Sequence, residues 1–390
     1  MAGRGVAGRL GRRQVLSGIV GLAAGGALAG CGLGQSPAPA AASSSPATRS
    51  AAGTAASASP AAATSGPPKA PGTLLWSVQS PGHMSGNVVT DAGAVYSADS
   101  TLTGGQNDHN VYAVDASSGQ VIWKAVNYAD QYTGPAVGNG LVYFGSDYHT
   151  VSALSAETGH GVWQYTAGDV ITTAPVVTSQ AVYFASGNNN VYSLSAATGK
   201  LTWQRSTGGV RVLDLAVGET YVYAAIGSGT GALRVSDGGA VWVLPGSSGV
   251  LAMAGTAVLV GGNGSCSAIN AKTGVLQWSR AASGLITAIV VSGRVAYLAS
   301  DAGQVSAVRI ADGSLQWTYK AGGAVKSGIT AANGVVYFGC DDHKVYAVDA
   351  SAGHLKWTFT AGGTVESGLA VYAGRVFAGS SDGSLYALQG

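Results

Sequence analysis

The sequence predicts an all-β protein, an eight-bladed β-propeller of four-stranded antiparallel blades, and three observations predict it. All eight tryptophans fall in one register: Trp76, Trp123, Trp163, Trp203, Trp242, Trp278, Trp317 and Trp357, spaced 47, 40, 40, 39, 36, 39 and 40 residues apart. A period near forty residues is that of a four-stranded blade. A glycine stands four residues before seven of them, at Gly119, Gly159, Gly199, Gly238, Gly274, Gly313 and Gly353. Composition agrees: 61 glycines and a charged fraction of only 10% suit short strands joined by tight turns.

The first thirty residues have a different character. Gly11-Arg12-Arg13-Gln14-Val15-Leu16 resembles a twin-arginine export signal, with Arg12 and Arg13 as its pair. The apolar stretch Val15–Ala29 is short for a membrane span and has the anatomy of a signal h-region. It ends at Leu28-Ala29-Gly30-Cys31, which resembles a bacterial lipobox; the resemblance implies cleavage of residues 1–30 and a lipid on the Cys31 thiol. Residues 31–72 carry that cysteine into a run of Ala, Ser, Pro, Gly and Thr with two charges, Arg49 and Lys69. Too little apolar surface is present to offset ordering entropy, so a disordered tether is expected.

The body, residues 73–390, holds the repeat. In the second unit the pattern predicts strands near 133–137, 141–145, 151–154 and 161–165, separated by Gly, Asn and Asp turns. The glycine before each Trp fits the left-handed position of a hairpin loop. Each Trp is expected to pack between neighbouring blades, contributing at most about 5 kcal/mol. The last unit stops at Gln389-Gly390 without a Trp strand, and the body opens with an orphan one, Thr73–Gln79. Pairing the two completes the last blade and closes the ring.

The phrase Ala113-Val114-Asp115-Ala116-Ser117-Ser118-Gly119-Gln120-Val121-Ile122-Trp123 returns with Asp349, Gly353 and Trp357 in the last full unit. It resembles the PQQ-like (quinoprotein-type) propeller repeat over residues 73–390. The Asp of that phrase is kept only at Asp115 and Asp349; Ser155, Ser195, Arg234, Asn270 and Arg309 fill the other places. In repeat type, blade number and anchor the chain is similar to the propeller lipoprotein of the outer-membrane β-barrel assembly machine.

Charge excludes one class of function. Four arginines and no acid precede Cys31, and from residue 73 onward 14 Lys and Arg face 18 Asp and Glu, a formal charge of −4. A weakly acidic body without a basic stripe is not a nucleic-acid binder, and contact with a membrane is expected through the lipid anchor alone.

Candidate binding residues lie where strand A of each blade begins, around the channel. The equivalent places are Ser85, Thr133, Thr173, Leu213, Gly249, Thr287, Ser327 and Ser367, so six of eight carry a hydroxyl. The preceding places include Tyr132, Lys326 and Glu366, and the last two are placed to pair across adjacent blades. A funnel formed by Tyr132, Thr133, Thr173, Lys326, Ser327, Glu366 and Ser367 is the candidate ligand site. Three B–C turns combine acid and histidine: Asp108-His109, Asp147-Tyr148-His149 and Asp341-Asp342-His343. They occupy separate blades and match the Asp-Gly turns of the repeat, so no metal site is expected. The long loop Ser100–Asn110 is the expected partner contact.

The resemblance to quinoprotein dehydrogenases implies a quinone, a calcium ion, an acidic base and usually an adjacent cysteine pair on this face. With Cys31 given to lipid, Cys266 inside one strand and Cys340 two blades away, no such pair is present. The expectation is therefore a monomeric, non-catalytic binding or scaffold lipoprotein of the cell envelope, without a cofactor and with an envelope protein as its partner. It would be held at the outer face of the cell membrane, or in the periplasm or on the outer membrane of a cell with two membranes. A PQQ-dependent dehydrogenase-like enzyme and an extracytoplasmic sensor propeller are the alternatives.

Overall fold

A computed structural model describes residues 69–84, 86–99, 109–127 and 133–390. Arg12, Arg13, Cys31, residues 31–68 of the expected tether, Ser85, Asp108, Tyr132 and the body of the Ser100–Asn110 loop lie outside the described residues. Among those described, every regular element is a β-strand, and no helix is long and apolar enough to cross a membrane.

The first strand, β1 (Leu74–Gln79), belongs to the last blade, described below. The first complete blade is β2 (Val89–Asp91), β3 (Ala94–Ala98), β4 (His109–Asp115) and β5 (Val121–Asn127). The second is β6 (Ala136–Gly138), β7 (Leu141–Gly145), β8 (Thr150–Ser155) and β9 (Gly161–Thr166). The third follows with β10 (Val176–Val177), β11 (Ala181–Ser186), β12 (Asn190–Ser195) and β13 (Leu201–Ser206), and the fourth with β14 (Val212–Val217), β15 (Tyr221–Ile226), β16 (Gly229–Arg234) and β17 (Ala240–Pro245).

The next sheet corrects the expected blade count. It is six-stranded, in the order β18 (Val250–Ala254), β19 (Ala257–Asn270), β20 (Leu276–Ser292), β21 (Val295–Ser300), β22 (Gln304–Arg309) and β23 (Leu315–Lys320). It holds both Trp278 and Trp317, so two sequence repeats share one sheet and the propeller has seven blades, not eight. The cause is local to two long strands. Elsewhere the chain leaves its sheet between the Trp strand and the next strand A, as at Gly208 and Gly209, both with positive φ. Here the chain also passes through a positive-φ glycine, Gly284 opposite Gly264, but as a bulge that keeps the pairing on both sides, Ala281 with Ser265 and Leu285 with Asn263.

The following blade is β24 (Ile329–Ala332), β25 (Val335–Gly339), β26 (Lys344–Asp349) and β27 (Leu355–Thr360). The last comprises β28 (Ala370–Tyr372), β29 (Arg375–Gly379) and β30 (Ser384–Gln389), with β1 as its fourth strand. The pairing of β1 with β30 is antiparallel, from Leu74 opposite Leu388 to Gln79 opposite Ser384. Inner strands β2, β6, β10, β14, β18, β20, β24 and β28 touch in sequence, and β28 returns to β2, so the ring is closed.

Turn chemistry follows the sequence. Four A–B hairpins have two-residue loops with both φ values positive, Ala92-Gly93, Asn139-Gly140, Asn333-Gly334 and Ala373-Gly374. This is the primed turn whose twist matches the flanking strands. The C–D loops place their glycine against the preceding Trp strand. A Cβ on Gly159 would lie 2.6 Å from the Trp123 ring, and one on Gly353 would lie 2.7 Å from Trp317. Above that contact the indole Nε1 of Trp123 donates to the Ala156 carbonyl at 2.9 Å. Trp163 does the same to Ala196, Trp203 to Val235 and Trp317 to Ala350. Strand B adds a second donor. Tyr96, Tyr143, Tyr223 and Tyr297 give their hydroxyls to the carbonyls of Ala156, Ala196, Ala271 and Ala350. The carbonyls of Ala156, Ala196 and Ala350 thus each accept from one indole and one phenol.

The departures at the Asp place of the repeat also have a physical account. Asp115 and Asp349 accept from the backbone N–H groups two and three residues on. Asn270 does the same. Where the residue is arginine the acid has moved three places along. Arg234 pairs with Asp237 at 3.0 Å and Arg309 with Asp312 at 3.1 Å. Those acids accept from the N–H groups of Gly239 and Ser314. The loop keeps a carboxylate acceptor with its charge pattern reversed.

Candidate functional site

The hydroxyls marked by the sequence do meet at the inner ends of the blades, but they are turned into the backbone. Ser327 Oγ accepts from Gly339 N–H at 2.8 Å and donates to Gly339 O at 2.9 Å. Ser367 makes the same pair of bonds with Gly379, at 2.8 and 2.9 Å. Thr133 bonds both groups of Gly145, and Thr173 accepts from Ala185 N–H. Thr133, Thr173, Ser327 and Ser367 are all buried, the two serines completely. Each hydroxyl therefore stitches the start of strand A to strand B of its own blade. Thr287 reaches across instead, donating to Val325 O at 2.7 Å.

The partly exposed groups on this face are acids, lysines and histidines. Lys326 does not pair with Glu366 as its position suggests. Its Nζ lies 2.5 Å from Asp341 Oδ2, on the B–C turn of its own blade. The neighbouring Asp342 accepts from Tyr346 Oη at 2.5 Å and lies 3.5 Å from Lys344 Nζ. Burial pushes the Asp342 carboxyl up, but the Tyr346 hydroxyl and Lys344 outweigh it and hold it below the usual carboxylate range. Asp382 and Tyr386 repeat this arrangement in the last blade at 2.5 Å.

The turn histidines serve the backbone. His149 and His343 have φ of +62° and +67°, the left-handed place held by Asn189, Gly303 and Gly383 in other blades. Their carbonyls accept from Ala167 and Ala361 N–H. His149 Nε2 is 3.9 Å from Asp169 Oδ1, a loose contact at the surface. Among the described residues no group of three or more His, Cys, Asp or Glu side chains is arranged to hold a metal ion.

Cys266 lies inside β19 and Cys340 directly after β25, in different blades, and both are buried and unpaired. Burial pushes the Cys266 thiol up to about 12 and that of Cys340 up to about 11. Neither is a thiolate at neutral pH, and no adjacent pair exists among the described residues.

Two buried acids escaped the sequence reading. Asp99, at the ring closure, accepts from Ser80 Oγ, from Asn110 N–H at 2.6 Å and from Tyr112 Oη at 3.0 Å. Asp214 accepts from its neighbour Leu215 N–H and from Leu251 N–H, both at 2.8 Å, tying β14 to β18. Asp99 stands where Ser146, Ser186, Ser300 and Ser380 stand in other repeats, and that odd residue was the available signal.

A family model described as outer membrane protein assembly factor BamB matches residues 107–319 and, in a second match, 303–390. Among solved structures, BamB from Moraxella catarrhalis has a TM-score of 0.67 at 16% identity, over 82% of this chain and 99% of that one. The computationally designed Ika8 protein has a TM-score of 0.71 at 18% identity, over 80% and 98%. The quinohemoprotein alcohol dehydrogenase ADHIIG from Pseudomonas putida HK5 has a TM-score of 0.64 at 15% identity, over 81% and 76%. At these identities the likeness is one of fold. No curated protein matches the sequence.

Proposed function

We propose that this chain, which belongs to the outer membrane protein assembly factor BamB family, is a non-catalytic lipoprotein of the cell envelope that presents its propeller as a platform for a protein partner. One observation carries the reading. The hydroxyls around the channel are spent on the propeller's own backbone, Ser327 on Gly339 and Ser367 on Gly379, so the face offers a charged surface rather than a set of converging reactive groups. Lys326, Asp341 and Glu366 then serve as surface recognition groups, and Cys31 carries the membrane anchor.

A quinone-dependent dehydrogenase is the second reading, favoured by the fold likeness to the Pseudomonas putida enzyme. The separate, buried, protonated thiols of Cys266 and Cys340 do not fit the cysteine pair of such a site and favour the platform.

The deciding experiment titrates the full chain with pyrroloquinoline quinone, with and without calcium, following tryptophan fluorescence. No saturable change is expected; saturable, calcium-dependent binding would overturn the platform reading. In intact cells a photo-cross-linker at Glu366 is expected to give one discrete protein adduct, and Cys31→Ala is expected to release the protein from the membrane fraction.

A further inference from the structure

Where one repeat packs on the next, the residue two beyond each Trp faces strands B and C of its neighbour. After Trp163 three rings meet there: Tyr165, Phe184 and Tyr192, with centroids 6.3, 6.1 and 5.0 Å apart. After Trp317 the trio recurs as Tyr319, Phe338 and Tyr346, at 6.1, 5.8 and 5.1 Å. Strand register assigns Arg280, Leu298 and Ser306 to these same places after Trp278. Leu298 pairs with Ser306 as Phe184 pairs with Tyr192 and Phe338 with Tyr346. All three rings are replaced here, in the sheet where two repeats have merged, as they also are after Trp203, where the corresponding residues are Arg205, Ala224 and Gly231.

Beside these residues lies a half-open cleft of about 280 Å³. Its floor is apolar and buried, formed by Ile286, Leu298 and Val308. Its rim carries Gln304 and Ser306, and Arg280 is the charged residue of the lining. Arg280 is half-buried and donates from Nη1 to Gly313 O at 3.3 Å, and no described carboxylate pairs with it. A hydrocarbon-lined cavity of about 150 Å³ accepts benzene. This one has room for a ring and a polar substituent.

We infer that this cleft binds a small aromatic carboxylate, its ring over Leu298 in the place that Tyr346 fills in the later repeat and its carboxylate on the Arg280 guanidinium. The apolar floor rewards burial of a ring. A guanidinium beside low-dielectric walls rewards a planar anion with two acceptor oxygens. The site is remote in sequence from the channel-face groups Lys326 and Glu366 and does not depend on their role.

Isothermal titration of the full chain with phenylacetate tests it, with acetate and benzyl alcohol as the two half-ligands. Phenylacetate is expected to bind saturably at one site, and each half-ligand at least about tenfold more weakly. Ser306→Tyr returns the ring that Tyr192 and Tyr346 supply elsewhere and is expected to abolish binding. Leu298→Phe blocks the same space if the first variant does not fold. Arg280→Gln is expected to weaken phenylacetate about tenfold and leave benzyl alcohol unchanged. Absence of saturable binding at millimolar phenylacetate overturns the proposal. So does binding that survives unchanged in a folded Ser306→Tyr, Leu298→Phe or Arg280→Gln protein.

Discussion

Gly72 lies beneath the indole of Trp357: a Cβ at Gly72, where φ is +79°, would come 3.0 Å from Trp357 Cδ2. This is the contact that Gly119 makes with Trp76, 2.7 Å from the same ring atom. Gly72 stands four residues before Trp76, so it is the eighth glycine of the series, carried by the N-terminal strand to the far end of the chain. Trp357 thus rests on the first turn of the body, and the circle of Trp–Gly contacts is complete.

That contact separates two costs of a glycine. Gly159 and Gly140 have φ of +71° and +72°, but a Cβ on Gly159 would meet Trp123 at 2.6 Å while one on Gly140 meets nothing within 4 Å. Gly140→Ala is expected to cost about 1 kcal/mol, the left-handed backbone penalty alone. Gly159→Ala is expected to cost at least about 2 kcal/mol, because the indole must also move. Urea unfolding of the two variants measures the difference, and equal costs would show that the indole contact contributes nothing.

Closure through β1 makes a second expectation. Deleting residues 73–79 leaves β30 as an unpaired edge and removes Trp76, whose Nε1 donates to Ala116 O at 3.3 Å. The melting temperature is expected to fall and aggregation to rise. An unchanged melting temperature in calorimetry would mean that the ring does not depend on this strand.

Ser367→Ala tests what the channel hydroxyls do. It leaves the buried Gly379 N–H without its acceptor at 2.8 Å and is expected to destabilise the fold by about 1 to 3 kcal/mol. Thermal unfolding reads this. An unaltered stability would free the hydroxyl for a ligand role.

The Asp115 carboxyl is held down at about 2, against an ordinary 3.8, first by the Ser117 and then by the Ser118 hydroxyl, with their N–H groups adding to it. A folded value below the unfolded one stabilises the native state above the unfolded value. That contribution is lost as pH falls through the folded value. Loss of stability between about pH 4 and pH 2 is therefore expected, and Asp115→Asn should flatten that part of the profile. Denaturant midpoints across the window check it.

Ala373 adopts φ of +48° in a two-residue hairpin where the equivalent places hold Asn139 and Asn333. Ala373→Asn is expected to stabilise the protein by about 0.5 to 1 kcal/mol, since asparagine tolerates the left-handed region better. Chemical denaturation measures the gain.

Most of the blade was legible because its determinants are local. The Trp–Gly spacing and the Asn-Gly turns each act within a few residues. The channel face was half legible. Residue type and period placed Thr133, Thr173, Ser327 and Ser367 at one level, but side-chain direction turned them into the backbone. For Lys326 the choice between Asp341 and Glu366 depended on which carboxylate the fold brings within reach, and spacing carries no such distance.

The sequence by itself determined the repeat, its Trp-strand phrase, the turn types and the orphan strand that closes the ring, because each depends on backbone preferences and periodicity written into short segments. Only the tertiary structure decided the number of blades and the place of the cavity. Merging two repeats required Asn263 to pair with Leu285 and Ser265 with Ala281. The cavity required Arg280, Leu298 and Ser306 to face one another across strands. Both are non-local: hydrogen bonds and cleft volume belong to residues brought together by the sheet.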